Sequence, residues 1–208
     1  MKNDFNNQNR INYEMLINGI DEAFIGCSKL LVLRIDVGYE QDSSNPFLSH
    51  EERRNNGLQA KEDLEDFIDN MDSTTLFNHL RGYAWKIEYG TSKGFHCHLL
   101  FLLNGSRVQR DICIAEGIGE YWESITRANG RNGLYHNCNK DKDKYDDNCG
   151  IGAINYTDKE LIANLKNNVA PYLTKLDEYI ETLGIGETFG IGGIKTKTNN
   201  RGKPRKYP

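Results

Sequence analysis

The residues best suited to chemistry are a His-x-His pair, His96 and His98, inside the apolar segment 94–105. The segment is bounded by glycines and has the length of a strand, which predicts a β-strand. Because strand side chains alternate between two faces, both imidazoles point to the same face and can hold one metal ion. Taken alone, such a pair is more often two hydrogen-bonded histidines than a metal site.

Glu88, on a preceding strand predicted over 83–89, is the candidate third metal ligand. Residues 90–94 predict a short hairpin connection, and a turn centred near Ser92 places Glu88 opposite His96 or close to it. Two imidazoles and a carboxylate leave coordination positions open, as a catalytic metal centre requires. The oxygen ligand and open positions favour Mg²⁺ or Mn²⁺, although raw affinity favours zinc or nickel in vitro.

The candidate nucleophile is Tyr172, in the sequence Tyr-Leu-Thr-Lys that ends at Lys175. Residues three apart share a helix face, so a helix here places the phenol beside the ammonium. A neighbouring lysine favours the phenolate, which is the nucleophilic form. Taken alone, the tetrapeptide more often marks a tyrosine at a helix edge beside a solvated lysine. Tyr179, seven residues on, is a weaker second candidate.

The elements that must position these residues follow a βαββαβ order. Helices are predicted over 11–28, 58–70, 108–127 and from 158 to about 184, and the further strands over 30–38 and 150–156. Pro171 should kink or restart the last helix. This order predicts an α+β fold, with a four-stranded or slightly larger antiparallel sheet and helices on one face. The other face stays open for a ligand, and Arg34 and Asp36 fall on it.

The domain organisation follows from composition along the chain. Residues 1–28 form a polar arm and helix, residues 29–186 the main domain, and residues 187–208 a basic flexible tail. Within the main domain, 129–150 is polar and predicts a solvated loop insertion.

The overall composition indicates a polar globular protein of 208 residues, with 38% hydrophobic residues and a net charge of −4. Five cysteines at scattered spacings favour a reducing, cytoplasmic compartment over a disulfide framework. The polar N-terminus lacks a signal-peptide core, and no apolar run approaches a membrane span, so we expect no membrane partner.

The tail carries a local positive charge that favours DNA on an otherwise acidic chain. After Glu187 there is no acidic residue, and the basic ones are Lys195, Lys197, Arg201, Lys203, Arg205 and Lys206. Segment 201–206 resembles an AT-hook core, which places basic side chains in a narrow minor groove. A disordered solubilising tail explains the same composition equally well. Arg34 and Lys86 are further candidate DNA contacts within the main domain.

Together, the His-x-His strand, the upstream glutamate strand and the downstream Tyr-x-x-Lys helix resemble the HUH endonucleases, in the branch of rolling-circle replication initiators. Cys97 stands where that pattern has a hydrophobe, a mild departure because a buried cysteine is small and apolar. More closely, five segments resemble the inovirus Gp2 (YagK/YfjJ C-terminal domain) family of filamentous phages and bacterial prophages. They are residues 33–36, 88–90, 93–98, 121–122 and 172–175.

The resemblance implies a replication protein that nicks and rejoins single-stranded DNA to start rolling-circle replication. It implies a metal held by Glu88, His96 and His98, a 5′-phosphotyrosine intermediate on Tyr172, and charge stabilisation by Lys175. Residues 29–186 would form the HUH-like endonuclease domain. The implied partners are single-stranded or origin DNA, with host helicase and polymerase as candidates, in the cytoplasm of a bacterial host. The alternatives are a relaxase or single-tyrosine transposase, and a non-cutting DNA-binding regulatory protein of prophage origin.

Overall fold

The computed structural model describes residues 2–40 and 48–193 of the chain. Its helices are α1 (Lys2–Phe24), α2 (His50–Asp69), α3 (Asp111–Ala128), α4 (Lys159–Asn164), α5 (Ala170–Thr174) and α6 (Glu178–Leu183). Its strands are β1 (Lys29–Tyr39), β2 (Leu80–Gly90), β3 (Gly94–Asn104), β4 (Gly133–Asn137), β5 (Gly152–Asn155) and β6 (Phe189–Gly192). Short 3₁₀ turns lie at Met71–Ser73, Thr75–Phe77 and Lys142–Asn148. Among the described helices, none is long and apolar enough to cross a membrane.

The strands of the described residues form one six-stranded antiparallel sheet. Five of them follow the order β4-β1-β3-β2-β6, and the sixth, β5, pairs with β1 beside β4. The eleven-residue β1 uses its outer edge twice, because β5 pairs with its first half and β4 with its second half. The predicted α+β class and antiparallel sheet are confirmed, and the sheet is larger than four strands.

The first face of the sheet carries the larger core. Odd-numbered residues of β1, from Leu31 to Val37, pack with those of β3 against α2, α3 and α6. Phe67 of α2 and Trp122 of α3 are fully buried at this contact. The alternation that assigned these strand residues to a helix-covered face therefore predicted the packing correctly.

The second face is also covered by helices over part of its area, so the prediction of helices on one face is wrong in this respect. Leu30, Val32 and Leu100 are apolar and belong to a second core. Leu16 and Ile20 of α1, together with residues 165–173, pack onto them. The reason is the hydrophobic effect: this end of the face is apolar and has to be buried.

Two strands lie where the sequence predicted none. β4 lies inside the predicted loop 129–150. It was not predicted because it is only five residues long and its Leu134 is 50% exposed, so its apolar pattern is weak. β6 lies inside the predicted flexible tail and pairs with β2. It was not predicted because two of its four residues are glycines, which are depleted in strands. The six basic tail residues, which lie between Lys195 and Lys206, are outside the described residues.

The predicted last helix is interrupted. Its first part runs without a break from α4 through a π-turn (Leu165–Val169) into α5, with right-handed helical backbone at both junctions. Pro171 lies just after the π-turn, so the helix changes its geometry before Pro171 and does not restart there. However, α5 ends at Thr174, and Lys175 has an extended backbone with a ψ of 119°. Asp177 then caps α6 through its side chain.

Candidate active site

The strand register brings the polar residues of β1, β2 and β3 together on the second face of the sheet. Glu88 is paired with His96, as the hairpin predicted, and Lys86 with His98. On the other side of β3, His98 is paired with Asp36 of β1. These side chains, with Arg34, form the polar half of the second face, next to its apolar half.

Glu88, His96 and His98 have the geometry of a metal site. One ligand atom from each lies within 4.8 Å of the other two. The Glu88 Oε2 atom is 2.9 Å from His98 Nε2 and 3.5 Å from His96 Nε2. Both imidazoles thus aim the same ring nitrogen at one carboxylate oxygen, and the predicted ligand set converges.

The second nitrogen of each imidazole fixes how the ring is presented. His98 Nδ1 is 2.7 Å from Asp36 Oδ1, and His96 Nδ1 is 3.1 Å from the Gly94 carbonyl oxygen. A partner that accepts a hydrogen bond from Nδ1–H leaves Nε2 as the metal-binding atom, which is the usual arrangement of outer-shell partners around histidine ligands. The three residues therefore fit a divalent metal ion. The sequence analysis placed Asp36 on this face but did not predict its bond to His98.

The charges of this polar half are strongly coupled. Burial alone raises the pKa of the Glu88 carboxyl, but hydrogen bonds from His96, His98 and Lys86 outweigh it, so the net pKa lies below its usual range. Burial likewise opposes ionisation of Asp36, yet His98 and Arg34 lower its pKa to about 2. Burial lowers the pKa of His98, but both carboxylates outweigh it and raise the net pKa above the ordinary 6.5.

Tyr172 lies at the edge of this ligand set. Its hydroxyl oxygen is 3.2 Å from His98 Nε2, and the two ring centroids are 4.8 Å apart. The residue is 42% exposed, so the phenol is open to an incoming strand. Burial, with the Asp36 and Glu88 carboxylates, raises the pKa of Tyr172, and the Arg34 guanidinium opposes the rise.

The cations beside the phenol are Arg34 and Lys86. The Arg34 guanidinium carbon lies 4.4 Å from the Tyr172 ring centroid and the Lys86 Nζ atom 5.6 Å from it. Lys86 is 3% exposed and donates hydrogen bonds to the Glu88 carboxylate and to the Tyr172 carbonyl oxygen. Both residues were predicted as DNA contacts, and the structure places them inside the polar half rather than on an outer surface.

α5 ends one residue before Lys175, an exposed capping residue whose backbone N–H still donates a hydrogen bond to the Pro171 carbonyl oxygen. The role of Lys175 in charge stabilisation stays a prediction. Tyr179 lies elsewhere in the contact network: its hydroxyl accepts a hydrogen bond from Arg53 at 3.0 Å, and its ring packs on Tyr89. Tyr172 is thus the tyrosine that contacts the ligand set.

Comparison with known proteins gives one family. No curated protein and no solved structure matches the chain significantly. The sequence model of the YagK/YfjJ C-terminal domain family matches residues 2–157. The matched region includes the three ligand residues and Asp36, whereas Tyr172 lies beyond its end. The chain belongs to the YagK/YfjJ C-terminal domain family.

Proposed function

We propose that the protein is a metal-dependent single-strand DNA endonuclease of the HUH type, which nicks and rejoins one strand through a phosphotyrosine. Its biological role would be to start rolling-circle replication of a filamentous phage or prophage, as in the inovirus Gp2 proteins that the sequence resembles.

The observation that carries the proposal is the 3.2 Å distance between the Tyr172 hydroxyl and His98 Nε2. The two residues are 74 positions apart in the chain, and the tyrosine comes from a helix piece rather than from the sheet. A phenol at the open edge of two imidazoles and a carboxylate has the arrangement needed to attack a phosphate bound there.

In this mechanism the Tyr172 phenol oxygen attacks the scissile phosphorus in line and forms a new P–O bond. The bond from phosphorus to the 3′-oxygen breaks, and that oxygen takes a proton from water to leave as a 3′-hydroxyl. The phenol proton passes to solvent. The freed 3′-hydroxyl is the primer that a host polymerase would extend. Rejoining is the reverse reaction, in which a 3′-hydroxyl attacks the phosphotyrosine and expels Tyr172.

The remaining side chains handle charge. Arg34 and Lys86, beside the phenol, stabilise the negative charge that develops on the tyrosine and phosphate oxygens. Asp36 holds His98 so that its Nε2 atom faces Glu88. A divalent ion such as Mg²⁺ or Mn²⁺, held by Glu88, His96 and His98, would act as a Lewis acid toward a non-bridging phosphate oxygen.

The test is formation of a covalent adduct. The full chain is incubated with Mn²⁺ and a library of single-stranded oligonucleotides labelled at the 3′ end, and adducts are separated under denaturing conditions. We expect the wild-type protein to retain label and mass spectrometry to place the nucleotide on Tyr172. Tyr172→Phe, which removes one oxygen, should stay folded, bind single-stranded DNA and form no adduct.

Tyr156→Phe is the matched control, because Tyr156 has almost the same exposure, 41% against 42% for Tyr172. This variant should form the adduct at the wild-type rate. An adduct mapped to another tyrosine would keep the enzyme class but overturn the assignment of Tyr172. Binding of DNA without any adduct would favour the non-cutting regulatory alternative.

A further inference from the structure

A cavity of about 510 Å³ lies at the hairpin end of the sheet, on the first face and so opposite the candidate active site. It opens between α2 and the ends of β1, β2 and β3. Aromatic side chains and side-chain amides form much of its lining, chiefly those of Tyr39, Tyr89, Phe95, Asn56, Gln59 and Asn132. Its volume lies within the usual range of small-ligand sites in proteins.

The cavity and the metal-ligand set share a residue. Gly94 lines the cavity, and its carbonyl oxygen is 3.1 Å from His96 Nδ1. Tyr89 and Phe95, whose ring centroids are 5.0 Å apart, directly follow Glu88 and precede His96 in the chain. Because neighbouring strand residues point to opposite faces, the cavity lies across the hairpin from the ligands. A strand bound at the metal ligands would reach the cavity by passing around the hairpin turn at Gly94.

The charges of the cavity disfavour a phosphate. The cation among its described lining residues is Arg131, whose guanidinium is held at 2.6 and 2.5 Å by the carboxylate of Asp63. Asp63 is fully buried, so this pair is fixed in place. Glu40, also in the lining, accepts a hydrogen bond from Asn132 and adds negative charge. The chemistry suits a planar, uncharged polar ligand.

A nucleobase has that chemistry. Single-stranded nucleic acid is commonly recognised by placing unstacked bases on aromatic side chains and bonding their edges. Asn56 and Gln59 are both exposed, three residues apart on α2, so their amides share one helix face at the cavity. Side-chain amides can donate to and accept from adenine at once, which makes adenine their preferred base.

We propose that this cavity binds one nucleobase of the substrate strand, where that strand passes around the hairpin from the scissile phosphate, and that Asn56 and Gln59 make adenine the preferred base. The inference rests on the proposed function, since it assumes single-stranded DNA as the ligand. It assigns sequence preference at the nick site to α2 rather than to the metal-ligand set.

The test measures binding and not cleavage. Full-length protein carrying Tyr172→Phe is bound to a random single-stranded DNA library, and the bound fraction is sequenced. We expect adenine to be enriched about tenfold at one position, in line with one good amide pairing. Adding Asn56→Ala and Gln59→Ala should abolish that enrichment. Both positions are exposed on a helix and alanine is a good helix former, so folding should persist and is checked by thermal unfolding.

Asn55→Ala is the matched control, because Asn55 is exposed on the same helix but does not line the cavity. It should leave the enrichment intact. Bound DNA with no preferred base, or a preference unchanged in the Asn56→Ala/Gln59→Ala protein, overturns the inference while the nuclease proposal stands. Amide-dependent enrichment without any wild-type adduct supports the cavity and overturns the nuclease proposal. Absence of single-stranded DNA binding overturns both.

Discussion

The two halves of the second sheet face are built from the same three strands, yet one half packs against helices and the other carries the candidate active site. In the apolar half, five strand residues are buried under α1 and α5, namely Leu30, Val32, Ala84, Leu100 and Leu102. In the polar half, ionisable side chains cluster at the edge of α5, whose Tyr172 contacts them, and two of them, Lys86 and His98, are buried. The cluster consists of Arg34, Asp36, Lys86, Glu88, His96 and His98. A step of two residues along each strand is enough to cross from one half to the other.

The boundary between the halves explains where the nucleophile stands. Leu173 of α5 is fully buried in the apolar half, while its neighbour Tyr172 reaches His98 in the polar half. Burial of one residue therefore fixes the position of the next. The comparison teaches that the apolar half acts as the support on which a reactive side chain is held over the polar half.

The largest expected effect is on chemistry in the polar half. His96→Ala removes one ligand nitrogen, and we expect Mn²⁺ affinity and adduct formation to fall by more than about a hundredfold, beyond what loss of an outer-shell partner costs. Isothermal titration and the adduct assay measure both. His79→Ala, at an exposed histidine, should change neither. Unchanged Mn²⁺ binding in His96→Ala would show that the ligand set is misassigned.

The next effect is on stability in the apolar half. Leu100→Ala empties space around a fully buried side chain, and we expect the free energy of unfolding to fall by about 3 kcal/mol. Leu134→Ala, at a leucine that is 50% exposed, should cost less than about 0.5 kcal/mol. Urea denaturation measures both. Similar losses of unfolding free energy at the two positions would contradict the stabilising role of the buried apolar half.

A pH dependence should distinguish the polar half when no metal is bound. The pKa of His98 is raised above 6.5 in the folded protein, so its contribution to stability is full below pH 6.5 and is lost as pH rises through the folded pKa. The contribution from Asp36 is constant there, since its pKa is about 2. We expect the thermal midpoint to fall over this range, and Mn²⁺ affinity to rise because binding displaces the His98 proton.

Asp36→Asn is the matched variant for this pH dependence, because it keeps the shape and removes the charge beside His98. The fall in thermal midpoint should become smaller. A midpoint that stays flat or rises as pH increases above 6.5 in the wild-type, metal-free protein would contradict the prediction.

The smallest effect compares two cations. Arg34→Gln removes the guanidinium stacked on the Tyr172 ring, and we expect the adduct to form about tenfold more slowly, the scale of one partly buried cation–π contact. Lys175→Ala should stay within about twofold, since an exposed charge beyond the helix end is screened by solvent. Single-turnover kinetics decide between them. A larger loss at Lys175 would support the role that the Tyr-x-x-Lys pattern predicted for it.

Much of the polar half could be predicted because strand geometry is simple. Two-residue alternation placed His96 and His98 on one face, and a short hairpin placed Glu88 opposite His96, as the register confirms. Asp36 was assigned to the same polar face, but its bond to His98 depends on β1 lying next to β3. That neighbourhood is a property of the whole sheet, which no local pattern reports.

The helix that carries Tyr172 was harder to predict for a physical reason. Pro171 signalled a restart, but the π-turn before it and the end of α5 at Thr174 come from packing on the apolar half and from the Asp177 cap. Helix propensity favours continuing the helix through Lys175, and tertiary contacts override it. Tertiary contacts also override local preference in β6. Glycine disfavours strands, but Gly190 and Gly192 lie so close to Trp85 and Tyr83 that a Cβ atom would clash.

The π-turn at Leu165–Val169 has a consequence for the phase of the helix that follows it. A π-turn holds one residue more than an α-helical turn, and each residue of a helix advances the azimuth by about 100°. Because the wider turn absorbs its extra residue within one rotation, deleting that residue would keep the phase downstream. Closing the turn into ordinary α-helix at the same residue count would instead rotate everything downstream by that angle. The phenol of Tyr172 would then swing away from His98, while every side chain of the ligand set stayed in place. The reach of the nucleophile is thus set by the width of one turn and not by the chemistry of any one of its residues.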